Sequence, residues 1–185
     1  MNTPNKITVA RMFVAPLFLI VYFLNFRHRM LISALIFAVG SISDAIDGRL
    51  ARKNNMVTNF GKLLDPIADK MLVTAGLLAF LKDGMCNIWI VMLILTREFA
   101  VTSVRLIASA QGVVIPANIG GKIKTVLQMV SFIVIMALGE LKFAFNLNIP
   151  LVVISNVLLG ITAVAAVVSG LVYIFDSRKV IDFKK

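Results

Sequence analysis

Apolar runs of about 20 residues, the length that crosses roughly 30 Å of hydrocarbon as a helix, recur six times along the chain with short polar segments between them. The pattern predicts helices from Ile7 to Phe26, Met30 to Arg52, Gly61 to Leu81, Asn87 to Ala110, Gly120 to Leu138 and Ile149 to Phe175. Short connections favour an all-α, polytopic membrane bundle of six transmembrane helices, one domain over 1–185. Lys6 and Arg11 before the first apolar run imitate a secretory signal, but no small-residue cleavage site follows, so an uncleaved first helix is expected. Thr3 followed by Pro4 suits its opening, with threonine as cap and proline in the first turn.

The polar interruptions carry the information. Asp44 and Asp47 stand in SDAIDGRLAR at the end of the second run, and Asp65 and Asp69 in GKLLDPIADK at the start of the third. A carboxylate in hydrocarbon costs a few kcal/mol or more, so a cluster of four marks a functional site. On a helix, Asp44, Asp47, Gly48 and Ala51 share one stripe, and Gly61, Asp65 and Asp69 repeat a four-residue step on the next. Helices joined by a short loop are antiparallel neighbours, so the stripes can face one another as a carboxylate box.

Four desolvated like charges raise one another's pKa values unless cations compensate them. All-oxygen ligation without nearby histidine or cysteine suits magnesium or manganese better than zinc. Two ions are expected, at a spacing of roughly 3.5 to 4 Å by analogy with bimetallic phosphoryl-transfer centres. Gly48, Ala51 and Gly61 leave room beside the box where a nucleotide could fit; close packing between helices through small residues is the plainer alternative for each.

Composition agrees with the membrane setting: 59% of the 185 residues are apolar and 15% charged, and mean hydropathy is +0.95, more apolar than soluble domains. With six spans both termini lie on one side. That side collects most basic residues, from Lys6, Arg11, Arg52 and Lys53 through Lys122 and Lys124 to Lys184 and Lys185, while Arg27, Arg29, Lys82 and Lys142 fall opposite. The positive-inside bias then turns the aspartates at the ends of helices 2 and 3 towards the cytoplasm, in the cell membrane. The net charge of +10 reads as topology and contact with anionic membrane lipids; no nucleic-acid motif accompanies it. Cys86 is the single cysteine and His28 the single histidine, both expected in or beside loops on the far face, with no disulfide and no part in the chemistry.

The stretch Asp44-x-x-Asp47-Gly48-x-x-Ala51-Arg52, eight residues, Gly61-x-x-x-Asp65-x-x-x-Asp69 resembles the signature of the CDP-alcohol phosphatidyltransferases at every fixed position. The resemblance implies a six-helix membrane enzyme, usually a homodimer, that moves a phosphatidyl or related group from a CDP-linked donor to an alcohol and releases CMP. It further implies that the four aspartates bind divalent metal and that Asp69 is the base.

Other stretches are similar to one branch of that family, the bacterial phosphatidylglycerophosphate synthases: Pro4 to Thr8 with Arg11, Thr96-Arg97-Glu98-Phe99 with Arg105, and Gly121 to Thr125. An acceptor bearing a phosphomonoester needs cations, and Arg97, Arg105, Lys122 and Lys124 supply them as arginine forks and lysine point charges. Arg97 and Arg105 stand eight apart, close to one face of the fourth helix. Each has a plainer reading: Arg97 with Glu98 in an intramembrane ion-pair network, Lys122 and Lys124 as topology signals that snorkel to headgroups. Glu98 is expected to point away from Arg97 and to be structural. Asn5, Thr8 and Arg11 either contact donor phosphates or cap and anchor the first helix, and Arg52 either orients the nucleotide or marks topology. Pro66 either opens the third helix or kinks it.

The expected reaction is transfer of the phosphatidyl group from CDP-diacylglycerol to sn-glycerol 3-phosphate, with Asp69 taking the hydroxyl proton. Rival readings are another acceptor, namely phosphatidylglycerol, serine or inositol phosphate, and a small divalent-cation transporter. A transporter should offer polar groups towards both faces, whereas these charges crowd one side.

Overall fold

The computed structural model describes the backbone of residues 3–53, 59–113 and 118–178, and the side chains of 9–10, 12–43, 67–68, 70–113 and 118–178. Those residues form six helices: α1 (Thr3–Phe23), α2 (Arg29–Lys53), α3 (Asn59–Lys82), α4 (Ile88–Ala110), α5 (Ile119–Ala144) and α6 (Leu151–Ser177). Each has the length to cross hydrocarbon. α5 and α6 are also apolar enough throughout to do so, and shorter apolar stretches cover Met12–Phe23 and Arg29–Ser43.

Helix ends follow local chemistry. The Asn87 side chain accepts the Trp89 amide at 2.9 Å and caps α4. At the other end Gly112 takes φ +76, and the Val113 amide donates back to the Ala108 carbonyl at 2.9 Å. This is the left-handed glycine stop that satisfies orphan carbonyls. α5 ends in the same way on Asn146, at φ +50, with the Leu147 amide reaching the Lys142 carbonyl.

α5 also runs beyond the expected stop at Leu138. Gly139 packs 3.5 Å from Met30 and Leu151 as judged at its Cβ position. Glu140 is held at 2.6 Å from His28 Nδ1, and its other oxygen accepts the Leu31 amide at 3.3 Å. Tertiary partners thus carry the helix through a glycine and a charge that locally favour its end. α3 starts early enough that Pro66 lies in its interior and the helix continues through it, so the opening-turn alternative for Pro66 does not hold.

The chain divides into two compact units, 1–83 with 132–151, and 84–131 with 152–185. In the first, α1 packs on both α2 and α3. Its core is aromatic: Phe18, Tyr22, Phe37, Phe80 and Phe132 are all fully buried. Phe132 sits 4.9 Å from Phe37 and 5.1 Å from Phe80, centroid to centroid. Such tilted and edge contacts favour ring pairs beyond area burial. Gly76 admits the Phe132 ring, since a Cβ there would lie 2.7 Å from Cδ2 and nearer still to Cε2.

The ring cannot yield, being wedged between two others. Gly76→Ala is therefore expected to destabilise by about 1 to 3 kcal/mol through overpacking, despite alanine's better helix propensity. Thermal unfolding in detergent should show a midpoint lower by roughly 2 to 10 °C, and Phe132→Leu in the same chain should recover part of it. An unchanged midpoint would show that the aromatic core is looser than this packing.

In the second unit, Ser155 Oγ donates to the Met85 carbonyl at 2.6 Å, and the Asn87 amide donates to Asn156 Oδ1 at 2.9 Å. Cys86 is buried, and burial pushes its thiol up to about 11, which leaves it almost entirely protonated and unreactive near neutral pH.

Candidate functional site

The aspartate signature falls on two helices that fold back on one another. Gly40 of α2 meets Leu72 of α3, 2.9 Å from the Cβ position to Cδ2. These residues lie equally far from the connection between α2 and α3, as an antiparallel pair requires. Asp44 and Asp47 follow Gly40 by four and seven residues, while Asp69 and Asp65 precede Leu72 by three and seven. Both pairs therefore continue, in helical register, the two stripes that touch at Gly40 and Leu72. Gly48, Ala51 and Arg52 come later on α2, and Gly61 earlier on α3.

The side chains of Asp44, Asp47, Gly48, Ala51, Arg52, Gly61, Asp65 and Asp69 lie outside the described residues, as do those of Asn5, Thr8 and Arg11. Among the described residues, no group of three or more acidic, histidine or cysteine side chains could hold a metal. The aspartates expected to serve a hard divalent cation are carried by the backbones of α2 and α3.

The second unit holds the expected cations, and it joins two of them through a carboxylate. Glu98 Oε1 accepts from Arg97 Nη1 at 3.1 Å and pairs with the Lys124 ammonium. Lys124 is 1% exposed. A buried ammonium needs counter-charge, and Glu98 supplies it to Lys124. The expectation that Glu98 points away from Arg97 is corrected here: the side chains, though adjacent in sequence, converge because Lys124 on α5 draws the carboxylate and α6 confines the guanidinium.

Arg97 is walled by glycines. A Cβ on Gly170 would lie 2.7 Å from Arg97 Cγ, and one on Gly121 would lie 3.3 Å from Nη2. Nη2 also donates to Ser169 Oγ at 3.4 Å. Asn118 completes the corner: Oδ1 accepts the Gly121 amide at 2.8 Å, capping α5, while Nδ2 donates to the Ser169 carbonyl at 3.5 Å. Arg97 Nε, buried, has no partner among the described residues, which leaves one guanidinium donor unspent.

Arg105 lies further along the same face, as its spacing from Arg97 suggests. Its Nε donates to Tyr173 Oη at 3.2 Å, with the guanidinium carbon 5.3 Å from the ring centroid. Lys122 is exposed. The structure thus brings Arg97 and Lys124 together on one carboxylate, sets Arg105 on Tyr173, and leaves Lys122 at the surface. Asn118 had a local signal, an asparagine before a helical glycine pair. Tyr173 and Ser169 had none, because their partners lie far away in sequence.

The sequence profile of the CDP-alcohol phosphatidyltransferases matches residues 1–172. A Bacillus subtilis protein named CDP-diacylglycerol--glycerol-3-phosphate 3-phosphatidyltransferase is 42% identical over 142 residues, covering 70% of this chain and 74% of its own length. Proteins of the same name from Rickettsia felis and Wigglesworthia glossinidia brevipalpis are 35% identical over 178 residues, 96% of both chains, and 33% identical over 136 residues, 71% of this chain and 74% of that one.

Proposed function

Because this chain belongs to the CDP-alcohol phosphatidyltransferase family, we propose that it transfers the phosphatidyl group of CDP-diacylglycerol to sn-glycerol 3-phosphate, giving phosphatidylglycerol phosphate and CMP. The observation that carries the reaction class is the complete aspartate signature from Asp44 to Asp69, lying on two touching helices in matched register. The acceptor reading is supported by the names of the relatives and by the cations of the second unit.

In this reading all six helices cross the cell membrane, as the family's membrane setting and the basic residues near one side suggest. The site opens to the cytoplasm, the domain is single, and the enzyme works as a homodimer. Asp44, Asp47, Asp65 and Asp69 would hold Mg2+ or Mn2+, two ions by analogy with bimetallic phosphoryl-transfer centres, whose charge would offset that of the donor pyrophosphate and the departing CMP. Gly48, Ala51 and Gly61 leave space for the cytidine, with Arg52, Asn5 and Thr8 at the donor phosphates.

Asp69 accepts the proton of the terminal hydroxyl of glycerol 3-phosphate as that oxygen attacks the diacylglycerol-linked phosphorus. The bond from that phosphorus to the CMP oxygen breaks, and CMP carries the electron pair away. Arg97, Arg105, Lys122 and Lys124 bind the phosphomonoester, which carries close to two negative charges at neutral pH. Arg105 and Arg97 offer planar forks, and Lys124 a buried point charge.

The test is CMP and lipid product formation by the purified protein with CDP-diacylglycerol, Mg2+ or Mn2+, and a series of acceptors. Turnover is expected with glycerol 3-phosphate. Turnover confined to serine, inositol phosphate or phosphatidylglycerol would overturn the acceptor, and no CMP release with any acceptor would sink the transferase reading itself.

A further inference from the structure

We propose that Glu98 is a positioning residue for the acceptor, holding Arg97 and Lys124 at a set spacing so that the two cations meet a phosphomonoester together. This rests on the acceptor reading above and adds to it a residue that touches no substrate.

The geometry assigns the role. One oxygen, Glu98 Oε1, takes both Arg97 Nη1 and Lys124 Nζ, and the two cations come from different helices, α4 and α5. Without an anion between them, two positive groups in a poorly solvated interior repel, and the ammonium loses its proton or moves to water. With it, the two cations are held at contact distance on one oxygen. Gly170, Gly121 and Ser169 fix the guanidinium by shape. A simple salt bridge would need only one cation. A shared oxygen with a glycine-walled arginine places charge with directional precision, and Arg97 Nε has no partner among the described residues.

Removing the negative charge has two opposed consequences. Net charge rises, which by itself would tighten phosphate binding through simple Coulomb attraction. Spacing and protonation are lost, which weakens it. The second should win, because Glu98 is the anion on which both cations are placed, and a buried cation that loses a counter-charge is harder to keep charged and in position.

Kinetics decide between them. Glu98→Gln is expected to raise the KM for glycerol 3-phosphate by roughly tenfold or more, the size usual for losing a supporting partner of a ligand-binding group. The KM for CDP-diacylglycerol should stay within about twofold, since the carboxylate acts only on the acceptor groups. Glu98→Asp, which keeps the charge, should restore most of the loss. Gly170→Ala, on another helix, should reproduce the acceptor-specific KM increase by displacing Arg97, although alanine favours the helix. An acceptor KM in Glu98→Gln that is unchanged or lower would overturn the proposal, as would equal loss for both substrates or no rescue by aspartate. Lys124→Met serves as the reference: if it raises the acceptor KM while Glu98→Gln does not, the acceptor reading stands and the positioning role fails. If Lys124→Met, Arg97→Lys and Arg105→Lys all leave that KM unchanged, the acceptor reading itself fails.

Discussion

Asp69→Asn should reduce CMP release by about 10² to 10⁴-fold, the usual contribution of a positioned base, while CDP-diacylglycerol still binds. Asparagine keeps the shape and one oxygen donor but cannot take a proton. Donor affinity, read by binding of CDP-diacylglycerol to the variant in detergent, should change far less than turnover, since three carboxylates remain. In the proposed reading Asp69 is a metal ligand as well as the base, so the loss should fall towards the upper end. Turnover within a few fold of the parent would reject Asp69 as base. Loss of donor binding equal to the loss of turnover would make it a ligand only.

Chelation should have an effect of similar size. Excess EDTA is expected to take CMP release to background, and added Mg2+ or Mn2+ to restore it. Asp44→Asn and Asp65→Asn should raise the metal concentration needed for half-maximal activity by roughly 10 to 100-fold, because each removes one anionic donor from a hard-cation site. Measuring activity against free metal for the parent and both variants checks this. Full activity in EDTA, with the protein shown to be metal-free, would overturn the metal reading and leave the aspartate register without its explanation.

The six helices were legible with most ends within about four residues, because apolar length is a local property. The largest departure has a tertiary cause. α5 passes Gly139 and Glu140 because Met30, Leu151 and His28 receive them. α3 begins at Asn59, so Pro66 falls inside it rather than in its opening turn. His28, expected to take no part in the chemistry, pairs with Glu140 at the start of α2, far in sequence from the aspartates.

Spacing alone placed Asp44, Asp47, Asp65 and Asp69 on shared stripes, since helical periodicity converts sequence distance into direction. The Gly40 and Leu72 contact adds a meeting point in register with them, which spacing could not supply. For the cations the balance reverses. The sequence named Arg97, Arg105 and Lys124 as charges needing a reason, and it predicted a shared face for the arginines. An Arg97–Glu98 ion pair was one of its open readings, but it could not say that Lys124 would be buried against the same carboxylate.

What the sequence by itself determined is therefore the helical layout, the membrane-like apolar surface and the register of the aspartates, all consequences of interactions within a few residues. What only the tertiary structure decided is which charges share a partner. Glu98 joins Arg97 to Lys124, Tyr173 receives Arg105, and Gly170 makes way for Arg97, because a buried charge takes whatever counter-charge and space the packing of distant segments provides, and no local pattern encodes that.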